Sequence, residues 1–98
     1  MELKTYVIVR CRDAGVHAGV LESYEGRGCE LSESRRLWYW KPAKGAFLSA
    51  VATLGLDHGA SKIGRAVSRI VLTENCEIIE CSAEAAESIR SAPNSHEQ

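Results

Sequence analysis

The chain opens on a strict alternation. In TYVIVRCR (residues 5–12), Tyr6, Ile8 and Arg10 interleave with Val7, Val9 and Cys11, and the run is rich in β-branched residues. A period of two with that composition predicts a strand. Asp13 and Gly15 supply turn chemistry, after which VHAGVLESYE (16–25) continues the alternation, with Gly19 marking an expected bulge or bend. GRG (26–28) predicts a second hairpin turn leading into CELSES (29–34), and RRLWYW (35–40) follows as a fourth strand ended by Pro42. The period then lengthens. Phe47, Leu48, Val51 and Leu54 fall on one helical stripe over 46–54, and Gly55 is placed to cap it.

GLDHGASKIG (55–64) has three glycines in ten residues and predicts a loop. RAVSRIVLT (65–73) and CEIIEC (76–81) predict two more strands around a turn at Asn75, and Ser82 is placed to cap a helix over AEAAESIR (83–90). Glu84 in its first turn complements the helix dipole. The whole predicts one α+β domain over residues 1–92, with 93–98 as a disordered polar tail. Its expected architecture is a small bent antiparallel sheet, or an Sm- or SH3-like barrel, of about six strands with two short helices.

Composition narrows the function classes. Ninety-eight residues make one domain, and a chain this short has little core to spare, so burial between subunits would help it. Twelve Lys and Arg against thirteen Asp and Glu give a formal charge of −1, which argues against coating duplex nucleic acid. The longest apolar run, AFLSAVATLGL, is too short to span a bilayer, and MELKTYVIVR lacks the organisation of a secretory signal. Both point to a cytosol, where Cys11, Cys29, Cys76 and Cys81 would stay reduced. No C-x-x-C pair is present, so buried thiols are favoured over zinc ligands, and no cofactor is expected.

Catalytic motifs are lacking. There is no nucleophile elbow, H-E-x-x-H or Walker loop, so the expectation is a non-enzymatic protein. His58 sits in the glycine-rich loop and His96 in the tail, whereas His17 lies on a strand where it can line a cleft.

The strongest binding signal is RRLWYW, which carries three of the six aromatic residues. On a strand Arg36, Trp38 and Trp40 share one face, while Arg35, Leu37 and Tyr39 share the other. Guanidinium beside indole suits a planar ligand bearing phosphate, because bases stack on aromatics and Arg grips phosphate bidentately. The competing arrangement puts both tryptophans in the core with the arginines at the margin. Arg36, Trp38 and Trp40 are thus the proposed pocket, with Arg10, His17 and Arg35 completing it.

YVIVR, AGVHAGVLES, RRLWYWK, VLTENCEIIEC and the closing SAEAAESI resemble a family of short phage-encoded proteins carried as a domain of unknown function. AGVHAG and RRLWYW are the most specific of these motifs, and CRDAG and GLDHGASKIG depart from the family pattern. The resemblance implies a phage protein acting in the host bacterial cytoplasm and supplies no activity. By analogy with other small phage proteins of bent sheet, the expectation is a counter-defence homo-oligomer that sequesters a nucleotide-type immune signal. The alternatives are an inhibitor directed at a host defence protein or nuclease, since Trp, Tyr and Arg are also hot-spot residues, and an Sm-like binder of single-stranded RNA, which the charge disfavours.

Overall fold

The structure is a computed structural model that describes residues 1–95. Six strands and two helices follow one another as β1 (Tyr6–Cys11), β2 (Val16–Glu25), β3 (Gly28–Tyr39), α1 (Leu48–Leu54), β4 (Lys62–Ile63), β5 (Val67–Leu72), β6 (Asn75–Glu80) and α2 (Ala83–Arg90). A single 3-10 turn, His58–Ala60, lies between α1 and β4. Every ladder is antiparallel. The sheet runs β4-β3-β2-β1-β6, and β5 lies beside β3 on the same edge as β4. Together β4 and β5 are one strand broken at residues 64–66.

That topology forces the sheet to curl. β5 and β6 stand at opposite edges, four strand spacings apart, or roughly 19 Å if the sheet were flat. Only Thr73 and Glu74 join them, and three Cα–Cα steps reach about 11 Å at most. The strands therefore wrap toward each other at that end, where Asn75 N–H donates to Arg27 O (2.8 Å) and Arg12 N–H to Glu74 O (3.0 Å). No ladder links β5 to β6 among the described residues, so the sheet is open and bent rather than a closed barrel.

Curling creates two apolar layers. Val7, Val9, Cys11, Leu21, Cys29, Leu31 and Leu72 fill the inside of the curl. Tyr6, Ile8, Ala18, Leu37 and Ile63 face outward and are covered by Leu48, Val51 and Ala52 of α1 and Ala86 and Ile89 of α2. β1 contributes to both layers, which explains why its alternation is of apolar residues on either side.

The two expected strands 29–34 and 35–40 are one twelve-residue strand, β3. Its midpoint is a bulge at Glu33, which takes φ 51° and has no partner where Ala18 pairs with Arg35 and Val20 with Ser32. An extra residue inverts the faces. Cys29 and Leu31 point into the curl before it; Ser34, Arg36 and Trp38 do so after it, which turns Arg35 and Leu37 toward the helices. Gly19 lies opposite, as its position suggested. A Cβ there would sit 2.8 Å from Ser32 O and 3.1 Å from Ser34 Cα.

The sixth strand, β4, comes from the segment expected to be loop. α1 starts at Leu48, so Phe47 occupies the N-cap position and is 77% exposed instead of lining the buried stripe. Gly55 ends α1 with φ 92°, and Ser82 Oγ accepts from Ala85 N–H (3.0 Å) at the start of α2, both as the sequence predicts. Within the expected tail, Asn94 forms a parallel bridge with Ile63, and Ser95 N–H donates to Ile63 O (2.9 Å). The remainder of the tail, including His96, lies outside the described residues.

Candidate ligand-binding site

The inside of the curl is filled by side chains only part of the way along. Beyond Ile70, where β4 and β5 separate, a cavity of about 430 Å³ opens, lined by His17, Ser34, Arg36, Trp38, Gly64, Arg65, Val67 and Ile70. β2 supplies His17, which pairs in register with Arg36 on β3, and the phase inversion at Glu33 aims Ser34, Arg36 and Trp38 at the same space. The break between β4 and β5 adds Arg65, held in place because Gly64 N–H donates to Arg36 O (2.8 Å).

The chemistry of this lining is cationic and aromatic. Arg36 and Arg65 are exposed, make no ion pair among the described residues, and have no carboxylate beside them in the lining. The Trp38 indole is 59% exposed, and Lys62 Nζ lies 5.1 Å from its ring centroid, within cation–π range. At the base, the Ser34 hydroxyl is buried without a hydrogen-bond partner. Leaving such a group unpaired costs roughly 1–3 kcal/mol, and because its oxygen is sealed from solvent the lining must shift before a ligand atom or water can reach it. His17 is buried too. Its Nε2–H donates to Ala14 O (2.9 Å), which leaves Nδ1 as the acceptor nitrogen. Burial pushes its pKa below the usual histidine value and the Arg36 guanidinium pushes the same way, against the Ala14 hydrogen bond, so His17 is neutral.

Of the six residues the sequence singled out, three meet here: His17, Arg36 and Trp38. Trp40 does not. β3 ends at Tyr39, the alternation stops with it, and Trp40 packs half-buried on the helix-side layer. Arg35 is a structural group on the opposite face. Its Nε donates to Gly64 O (2.8 Å), Nη1 to Ile89 O (2.8 Å), Arg90 O (3.3 Å) and Ala92 O (2.7 Å), and Nη2 to Asn94 Oδ1 (2.7 Å). Arg10 is spent in an exposed ion pair with its cross-strand neighbour Glu77 (2.9 Å) and lies away from the cavity.

Ser34, Lys62 and Arg65 are the residues sequence reasoning missed. Arg65 follows a glycine at a loop-to-strand boundary, a signal too weak to stand alone; Ser34 needed the bulge to be known. Among the described residues no cluster of three or more His, Cys, Asp or Glu is placed to hold a metal, and all four cysteines are free thiols. Burial pushes the Cys11 and Cys29 thiols up, and Cys81 up to about 12.

A family model described as "Domain of unknown function (DUF6948)" matches residues 4–89. The chain belongs to this family. No curated protein and no solved structure matches it. The DUF6948 match spans β1 through the last turn of α2 and so contains every residue lining the cavity. It stops short of Asn94, the outermost partner of Arg35. No helix among the described residues is long and apolar enough to cross a membrane.

Proposed function

We propose that this DUF6948 protein is a non-enzymatic binding protein that holds a nucleotide-type ligand in the cavity of Arg36, Arg65, Trp38 and Ser34. The observation that carries this reading is an exposed indole beside two uncommitted guanidiniums in one cavity. An aromatic ring accepts a base face, and arginine forks match phosphate oxygens. Ser34 has no base in hydrogen-bond reach among the described residues, which favours occupancy over turnover. On this reading the protein is phage-encoded, acts in a bacterial cytoplasm and withholds an immune signal by occupying it; the likeness of AGVHAG and RRLWYW to phage proteins supports that setting. A homo-oligomer belongs to the same proposal, supported by Val67 and Val71, exposed on β5, which among the described residues pairs only with β3.

The test is calorimetric titration with adenine and guanine mononucleotides, cyclic dinucleotides and ADP-ribose. At least one should bind, and Trp38→Ala should weaken it about 5- to 150-fold, as loss of one stacked base implies. Arg36→Ala should weaken it further in low salt than in high. No binding by any of them at micromolar protein retires the proposal. The second reading, inhibition of a host protein, is favoured by one observation: Tyr39, also 59% exposed, stands outside the cavity next to Trp38. Capture of a host protein that is lost in Tyr39→Ala but retained in Arg36→Ala would support it.

A further inference from the structure

Trp38 lines two cavities. Besides the first, a hollow of about 430 Å³ is lined by Trp38, Tyr39 and Lys62. Each hollow lies near the lower end of the size range for small-ligand sites, roughly 300–1,000 Å³. The first has the guanidiniums and the buried hydroxyl, the second a phenol ring and an ammonium over the shared indole. Arg36, Arg65 and Lys62 make no ion pair among the described residues. Three cations without a carboxylate partner exceed what one phosphate monoester can neutralise.

The geometry points to a ligand of two nucleoside units joined through phosphate, one base on Trp38 in the first hollow and the other on Tyr39 in the second, with Lys62, which lies over the indole between them, taking the bridging phosphate. This inference rests on the nucleotide reading and extends it. Tyr39 supplies the second stacking surface, which accounts for two neighbouring aromatics that are both exposed and both line the second hollow. Lys62 is held near that phosphate because β4 pairs Lys62 with Tyr39.

Titration of AMP, the linear 5′-phosphorylated diadenylate and an adenylate octamer, against wild type, Tyr39→Ala, Lys62→Ala and Trp38→Ala, tests it. The diadenylate should bind at least about tenfold tighter than AMP, the lower part of what one added stacked base gives. Tyr39→Ala and Lys62→Ala should cut diadenylate affinity to that of AMP while leaving AMP within about twofold. Trp38→Ala should weaken both, and the octamer should gain no more than about twofold over the diadenylate. Equal affinities for AMP and diadenylate overturn the two-unit site while leaving the nucleotide reading intact. An affinity that keeps climbing with length overturns it in favour of a strand binder. Absence of any Trp38-dependent binding overturns both readings together. All three substitutions are at exposed positions, and unchanged circular dichroism confirms that the variants fold.

Discussion

Arg35→Met should unfold this protein more readily than any surface change, although Arg35 looks, on the sequence, like a twin of Arg36. Arg35 is 4% exposed and makes no ion pair among the described residues. Burial pulls its pKa below the usual arginine value. What compensates the charge is the negative end of α2 and the carbonyls around it: four hydrogen bonds of 2.7–2.8 Å and a longer one of 3.3 Å. Methionine keeps the apolar stem and donates nothing. Ile89 O would still receive the Ser91 and Ala92 N–H groups, but Gly64 O and Ala92 O would lose their Arg35 donor. At roughly 1–3 kcal/mol each, two orphaned carbonyls cost about 2–6 kcal/mol, offset in part by no longer burying a cation. A net loss of about 2–4 kcal/mol is a large share of the ~5–15 kcal/mol that holds a domain together. In a domain of this size it lowers Tm by at least about 8 °C. Urea denaturation followed by tryptophan fluorescence, with thermal melts beside it, measures the loss. Arg35→Lys retains the charge but not the fork, and should fall between methionine and wild type. If both variants stay within about 1 kcal/mol of wild type, the clamp is not what ties α2 and Asn94 to the sheet.

Three further outcomes follow from the same packing. Gly19→Ala places a methyl 2.8 Å from Ser32 O, a backbone atom that cannot swing away, so a loss of about 1–3 kcal/mol is expected in urea melts; an unchanged midpoint would mean that the bulge at Glu33 relaxes freely. Ser82→Ala removes the cap of α2 and the bond from Ser82 Oγ to Thr53 O (2.8 Å), and should cost about 1–2 kcal/mol with a visible drop in helical circular dichroism. His17 has a folded pKa depressed below its unfolded value, so the unfolded chain binds the extra proton first as pH falls. Its contribution is complete above about pH 6.5 and declines as pH drops from there toward the folded pKa; His17→Gln should flatten that part of the stability–pH curve, and an unaltered slope would count against a buried neutral imidazole.

The elements were legible wherever local chemistry is decisive. β1 declares itself by alternation, and α2 by its serine cap and first-turn glutamate, which the structure reproduces from Ala83 to Arg90. What could not be read was the phase of β3. Alternation correctly separates Arg35 and Leu37 from Arg36 and Trp38, but it does not say which set is buried. That depends on the bulge at Glu33, and glutamate gives no hint of a positive φ. Reading 29–34 and 35–40 as separate strands was the shadow of that inversion. The same ignorance of the strand's end put Trp40 in the pocket. Arg65 was invisible because its place beside Arg36 arises from a tertiary break between β4 and β5.

β1 pairs with β2 on one side and with β6 on the other, and Arg10 and Glu77, which bond across that second ladder, are 67 residues apart. At ~5–20 residues per second, a ribosome spends roughly 3–13 s between making them. During that interval Tyr6 to Val9, apolar toward both layers, has one flank and part of each face without a partner. The nascent chain therefore exposes this apolar strand well before the strand that covers its second edge is made. This non-local pairing predicts slow folding and a period of dependence on chaperones that the finished domain no longer has.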